Sequence, residues 1–209
     1  MLGASAPTIA LSAVLFDTQA SGVFVDTQGT VLTVAHGLAG CATPLVAYQG
    51  QVYPATRRAV DSKADLALLD TPALGLLAAR WAPAVAAVGA PVFTASYGRL
   101  MSNDTMTLTN ALVVAAEPSA LVLVSAARPG ASGAPVLDDR GAVVGLVRAR
   151  RARPGTAGGR VEAIGLAPIE RFLTAQNVAV PRARDRQLAV TQPKAGRART
   201  LTAGILCGS

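Results

Sequence analysis

Apolar and polar positions alternate along most of the chain in short runs, and Gly, Asp, Gln or Pro closes many of them. A period of two sends one face of an extended segment into a core, so these runs predict strands. Six candidates occupy the first part, over 8–16, 21–26, 30–34, 44–48, 51–60 and 66–70. A proline-bearing crossing over 81–91 follows, then six more at 90–95, 105–116, 120–126, 135–138, 142–149 and 160–167. Asp26 to Gly29, Gln49-Gly50 and Asp138 to Gly141 read as tight reversals between them. Many short strands with regular turn signals predict an all-β barrel or sandwich architecture. One helix is expected over 168–176, where Pro168 suits the first position and Glu170 the first turn. A second, short helix is expected within 73–87. The organisation expected is a first β unit over 1–84, a second over 85–176 ending in the helix, and a basic tail over 177–209.

Composition narrows the function classes. Half of the 209 residues (51%) are hydrophobic and 15% are charged, which excludes a disordered chain. Aromatics are 4%, so Ala, Val and Leu must fill the core. Two cysteines, Cys41 and Cys207, are too few for a disulfide framework, and the sequence leaves their pairing open. A single histidine excludes a His/Cys metal cluster; neither metal nor cofactor is expected. The most apolar stretch, 73–93, is interrupted by Arg80, Pro83 and Pro91 and does not reach about 20 clean apolar residues. No basic n-region of a secretory signal is visible at the N-terminus.

The net charge of +7 is uneven. Residues from Arg148 onward hold twelve of the 19 basic side chains and three of the 12 acids. That asymmetry allows an anionic partner at the basic tail, such as nucleic acid or membrane headgroups. A solvated loop and a polar tail are the favoured explanation, and no aromatic residues interleave with the arginines for base stacking.

Three local patterns carry candidate chemistry. Thr33-Val-Ala-His36 follows an apolar strand, Asp65 opens the run Asp65-Leu-Ala-Leu-Leu69, and Gly130-Ala-Ser132-Gly-Ala-Pro135 lies between strands. A serine hydroxyl is a weak nucleophile until a neutral imidazole takes its proton. A carboxylate on the other ring nitrogen fixes the tautomer that this requires. The oxyanion then needs converging donors, a role the N–H groups of Gly130 and Ser132 suit. Turnover is expected to fall in acid, as the imidazole is protonated. Asp61 is a second, less favoured candidate acid, with polar neighbours Ser62 and Lys63.

With those strings in place, the chain resembles the trypsin-like (chymotrypsin-fold) serine endopeptidases, and the bacterial HtrA/Deg branch in its short spacings. The run from Ser21 to His36 and the glycine-led Ile164-Gly165-Leu166-Ala167-Pro168 extend the likeness over about residues 8–176. The order His, Asp, Ser is that family's, whereas α/β-hydrolases run Ser, acid, His. Ala134 also breaks the Gly-x-Ser-x-Gly elbow of the hydrolases. The resemblance implies two six-stranded antiparallel β-barrels with a short C-terminal helix, the triad His36, Asp65 and Ser132, and a protein or peptide substrate. It favours a periplasmic or secreted location. Three departures stand out: Ala131 where Asp or Asn usually precedes the serine, Ala134 for a second glycine, and Val34 before Ala-His. About thirty residues follow the helix, so no PDZ domain is expected.

The resemblance also places Ala126, six residues before the serine, on the floor of the primary pocket. A neutral floor offers no counter-charge for Lys or Arg, so cleavage is expected after small or medium apolar residues. The strand edge at Val147, Arg148, Ala149 and Arg150 is expected to pair with the substrate backbone, with the two arginines favouring acidic residues upstream of the cut. The competing expectation is a catalytically inactive barrel that binds a partner through its arginine-rich last third.

Overall fold

The computed structural model of the chain describes residues 18–73, 75, 77–97, 106–126, 130–151, 159–189 and 191–208. The candidate strand over 8–16 and the end residue 105 of another lie outside them. In the first unit, β1 (Thr18–Phe24) and β2 (Thr30–Thr33) form a hairpin. Asp26 Oδ1 holds its turn by accepting the N–H groups of Gln28 and Thr30, each at 2.9 Å. β3 (Thr43–Tyr48), β4 (Gln51–Pro54), β5 (Thr56–Asp61) and β6 (Leu66–Asp70) complete the strands of this half. The expected strand over 51–60 is split, because Pro54 has no N–H to continue a ladder and the Ala55 N–H turns to Pro44 O at 3.0 Å.

The second unit is a closed barrel of β7 (Pro91–Tyr97), β8 (Met106–Ala116), β9 (Ala120–Ser125), β10 (Pro135–Asp138), β11 (Val143–Arg151) and β12 (Gly159–Ile164). Its order is β10-β11-β12-β9-β8-β7, all antiparallel. Helix α1 (Leu166–Ala175) begins two residues earlier than Pro168 suggested. Gly165 ends the strand, its N–H bonded to Ser119 O at 3.0 Å, and the Ala167 N–H bonds to Pro118 O at 2.9 Å. Between the units, the described residues within 73–87 form no helix. The segment is extended instead: Trp81, fully buried, bridges to both Val143 and Arg182.

The largest departure concerns the last residues. The stretch expected as a basic tail over 177–209 carries helix α2 (Lys194–Leu201) and strand β13 (Thr202–Gly208). β13 lies between β1 and β3, giving a seven-stranded sheet of order β4-β3-β13-β1-β2-β6-β5. The first half is therefore a curled open sheet completed by the far end of the chain, not a self-contained six-stranded barrel. Burial explains it: Thr202 through Leu206 are buried, and an apolar strand gains more by joining a sheet than by remaining solvated. A Cys41–Cys207 disulfide fastens β13 across its neighbours, with a Cα–Cα separation of 5.4 Å. The core beneath is aliphatic around a few rings; Phe24 and Tyr48 meet edge to face at 4.6 Å.

Candidate active site

His36 sits in a short 3₁₀ turn (Ala35–Leu38) that leaves β2 at the junction of the two units. Two contacts aim it. Its backbone N–H donates to Asp65 Oδ1 at 3.0 Å, and its ring Nδ1 lies 2.9 Å from Asp65 Oδ2. Asp65 in turn donates backbone support, its carbonyl accepting the Ala35 N–H at 3.2 Å. Its φ of 58° is a left-handed conformation that aspartate tolerates better than most residues. The carboxylate is buried, with only 10% of the side chain exposed, while the His36 side chain is 48% exposed. The pair thus has a dry end and a wet end. Asp61, the other candidate acid, is occupied in its own turn, where Oδ1 accepts the N–H groups of Lys63 and Ala64 at 3.0 and 2.9 Å.

The Ser132 loop comes from the other unit and is clamped to the first. The Ser21 N–H donates to Ser132 O at 2.7 Å, and Ser21 Oγ donates to Gly130 O at 2.9 Å. Gly133 has φ 82°, and a Cβ there would meet Ser21 O at 2.0 Å and Thr33 Oγ1 at 2.7 Å. Only glycine permits that approach. Thr33 is three residues before His36, so the loop packs against the strand that delivers the histidine. Among the described residues, the N–H groups of Gly130 and Ser132 have no hydrogen-bond acceptor, whereas the next two amides do: Gly133 donates to Val147 O at 2.7 Å and Ala134 to Ala131 O at 2.9 Å. Ser132 Oγ and His36 are not hydrogen-bonded to each other. The departures Val34, Ala131 and Ala134 are all buried packing positions.

Sequence reasoning placed Arg148 on the expected substrate edge and missed its contact with Asp65. A register shift between Val147 and Ala149 turns it out of the ladder, and its Nε donates to Asp65 Oδ2 at 3.3 Å. No local pattern signals this contact, because it spans 83 residues and depends on the bulge. Val147 is a correction to the expected substrate edge. Its N–H donates to Ala134 O at 2.9 Å and its carbonyl accepts from Gly133, so its backbone is engaged by the serine loop. Beyond it, β11 residues 149–151 pair with β12 on one side only. Ala126, just past β9, is exposed. A groove of about 990 Å³ opens beyond Arg148, between the β5–β6 turn and the β9, β12 and α1 elements, and Lys63, Glu162 and Arg171 are among its charged walls.

A curled sheet and a closed β-barrel, joined where a histidine and a buried aspartate meet, form the architecture of the chymotrypsin-like serine proteases. The sequence matches the family model of the trypsin-like peptidase domain over residues 20–146, and the chain belongs to that family. The uncharacterized protein y4bJ of Sinorhizobium fredii (strain NBRC 101917 / NGR234) is 34% identical over 140 residues, which are 62% of this chain and 22% of that protein. The fold is similar to the HtrA-type protease AlgW solved with a decapeptide, at TM-score 0.66 and 21% identity, covering 76% of this chain and 51% of that one. It is also similar to the Rv3671c protease in an inactive form, at TM-score 0.64 and 23% identity over 77% and 86% of the two chains. A mutant of Rv3671c from M. tuberculosis H37Rv gives TM-score 0.64 at 20% identity over 80% and 91%. The chain thus spans about a fifth of its curated relative and half of the AlgW chain. No helix among the described residues is long and apolar enough to cross a membrane.

Proposed function

We propose that the chain is a serine endopeptidase in which Ser132 attacks the peptide carbonyl, His36 takes its proton and Asp65 orients and stabilises the imidazole. An acyl-enzyme forms on Ser132 as the amine leaves with the proton returned by His36, and water then releases the acid by the same relay. The N–H groups of Gly130 and Ser132 hold the oxyanion in both steps. The observation that carries this reading is the 2.9 Å contact of His36 Nδ1 with a buried carboxylate, beside a serine loop packed against the histidine's own strand. It leaves Nε2 as the nitrogen available to the hydroxyl.

The substrate is a protein or peptide lying as an added strand along Arg148, Ala149 and Arg150, with Val147 fastening the serine loop. Ala126 makes a neutral pocket floor, so cleavage follows small or medium apolar residues. Replacing Ser132 with Ala is the test: the variant should fold as the parent does and lose peptide hydrolysis, and a peptide library should give an apolar cleavage position. Undiminished hydrolysis by the variant removes serine from the mechanism, and a Lys or Arg preference removes the pocket assignment.

A further inference from the structure

Ser21, in β1, is fully buried, and its backbone and hydroxyl are fastened to the serine loop and its surroundings. Its N–H donates to Ser132 O at 2.7 Å, and its carbonyl accepts from Thr33 Oγ1 at 2.7 Å. The hydroxyl stands between two backbone groups, 2.9 Å from Gly130 O and 3.1 Å from the Tyr97 N. A backbone amide can only donate, so Tyr97 uses a lone pair of Ser21 Oγ and leaves the one hydroxyl hydrogen for Gly130 O. Tyr97 thereby sets the direction in which Ser21 donates.

These bonds fall on both sides of one peptide. The Ser132 N–H belongs to the Ala131–Ser132 peptide. The plane before it ends in Gly130 O, held by Ser21 Oγ. The plane after it carries Ser132 O, held by the Ser21 N–H, and the Gly133 N–H, held by Val147 O at 2.7 Å. Each peptide is rigid, so the middle plane cannot turn without breaking one of these clamps. Gly130, at φ 89°, enters the segment through a left-handed conformation that glycine permits. β13 backs the cluster: Ser21 pairs with Gly204, where a Cβ would meet Tyr97 Cγ at 3.2 Å.

We propose that Ser21 is a positioning residue whose hydroxyl aims the oxyanion donors of the serine loop, an inference that rests on the serine-protease reading above. Ser21 is fully buried and acts through Gly130 and Ser132, not on the substrate. Without its hydroxyl, Gly130 O and the Tyr97 N–H lose their partner in a dry site, and the Gly130–Ala131 plane turns to find another. The N–H of Ser132 turns with it. The loss is felt where charge develops on the substrate oxygen, in the transition state, and not in ground-state binding. A residue that only packed the two units together would alter the amount of folded enzyme and leave the hole's preference for oxygen unchanged.

The test compares a peptide ester with its thionoester, which carries sulfur where the oxyanion forms and accepts hydrogen bonds poorly. The ratio of the two kcat/KM values reports the hole and does not depend on the fraction of enzyme folded. The parent should favour the oxygen ester strongly. In Ser21→Ala that preference should fall roughly tenfold, part of the 10²–10³ that loss of a whole donor costs, with kcat for the ester lowered and KM little changed. An active parent whose ratio Ser21→Ala leaves unaltered overturns the role of Ser21 alone; a parent that hydrolyses neither ester overturns the protease reading and this inference with it. A crystal structure of the parent with a peptide boronate on Ser132 decides the matter even if Ser21→Ala does not fold. The boronate oxygen should lie on the N–H groups of Gly130 and Ser132 with Ser21 Oγ still bonded to Gly130 O, and a Gly130 carbonyl turned away from Ser21 in that adduct contradicts the proposal.

Discussion

Arg148 and His36 share one oxygen of Asp65: the arginine Nε lies 3.3 Å and the histidine Nδ1 2.9 Å from Oδ2. The carboxylate is buried, yet both of its partners are about half exposed. It is therefore a fixed anchor with two movable cations or donors around it. Arg148 also lines the groove beyond the site, so it adjoins both the Asp65 carboxylate and that groove.

Arg148→Gln removes the charge and weakens the hold on Asp65 without emptying the core. Solvent discounts an ion pair that is half exposed, so stability should change by less than about 0.5 kcal/mol. Turnover should fall by roughly tenfold, equivalent to about 1.4 kcal/mol of transition-state stabilisation. Steady-state kinetics beside a thermal melt separates the two effects; equal kcat in parent and variant removes Arg148 from the relay.

Asp65→Asn isolates the orienting role. Asparagine tolerates the φ of 58° as aspartate does, so the fold should survive. Its amide can hold the imidazole in the opposite tautomer, and kcat should drop by about 10⁴, the scale of that change in the template triad. A loss of only a few fold, with the melting temperature unchanged, would contradict the assigned role of the acid.

The disulfide supports the architecture more than the chemistry. Cys41 and Cys207 are 166 residues apart, and closing so long a loop lowers unfolded-chain entropy by an amount worth about 5 kcal/mol as an upper bound. Replacing both with serine should cost 2–5 kcal/mol, on the order of the loss of a native disulfide. Denaturant titration reads this. Amide exchange should rise first in β13 and its neighbours β1 and β3.

Asp138 gives a pH prediction. Burial raises its pKa, outweighing the two N–H groups that lower it. A carboxyl whose folded pKa lies above the unfolded value adds most to stability when protonated, at pH below the unfolded pKa. That contribution disappears as pH rises through the folded pKa. Asp138→Asn keeps an oxygen for Arg140 and Ala142 and carries no charge. Its stability should therefore be flatter across the carboxylate range and no lower than the parent's at neutral pH. A steeper loss on raising pH in the variant would be inconsistent with burial as the cause.

Much of the fold was legible because its signals are local. The Asp26 and Asp138 turns follow directly from a carboxylate two and four residues before the N–H groups it caps. The His36–Asp65 pair was legible from motif order and spacing. What escaped depends on the distant ends of the chain. Six of the residues from 182 to 199 are basic, five of them arginine, and that excess concealed the apolar run from 202 to 206, whose place between β1 and β3 only the folded chain supplies. The contact of Arg148 with Asp65 escaped for a similar reason, since a bulge and not a sequence pattern brings the two together.

The central claim is that the two units bring a serine into a proton relay with His36. Labelling with a fluorophosphonate, followed by mass spectrometry of the modified peptide, tests it most directly. The account predicts one phosphonyl group per chain on Ser132, and strongly slowed labelling in His36→Ala. A folded chain that takes no label, or takes it on another residue, would contradict it.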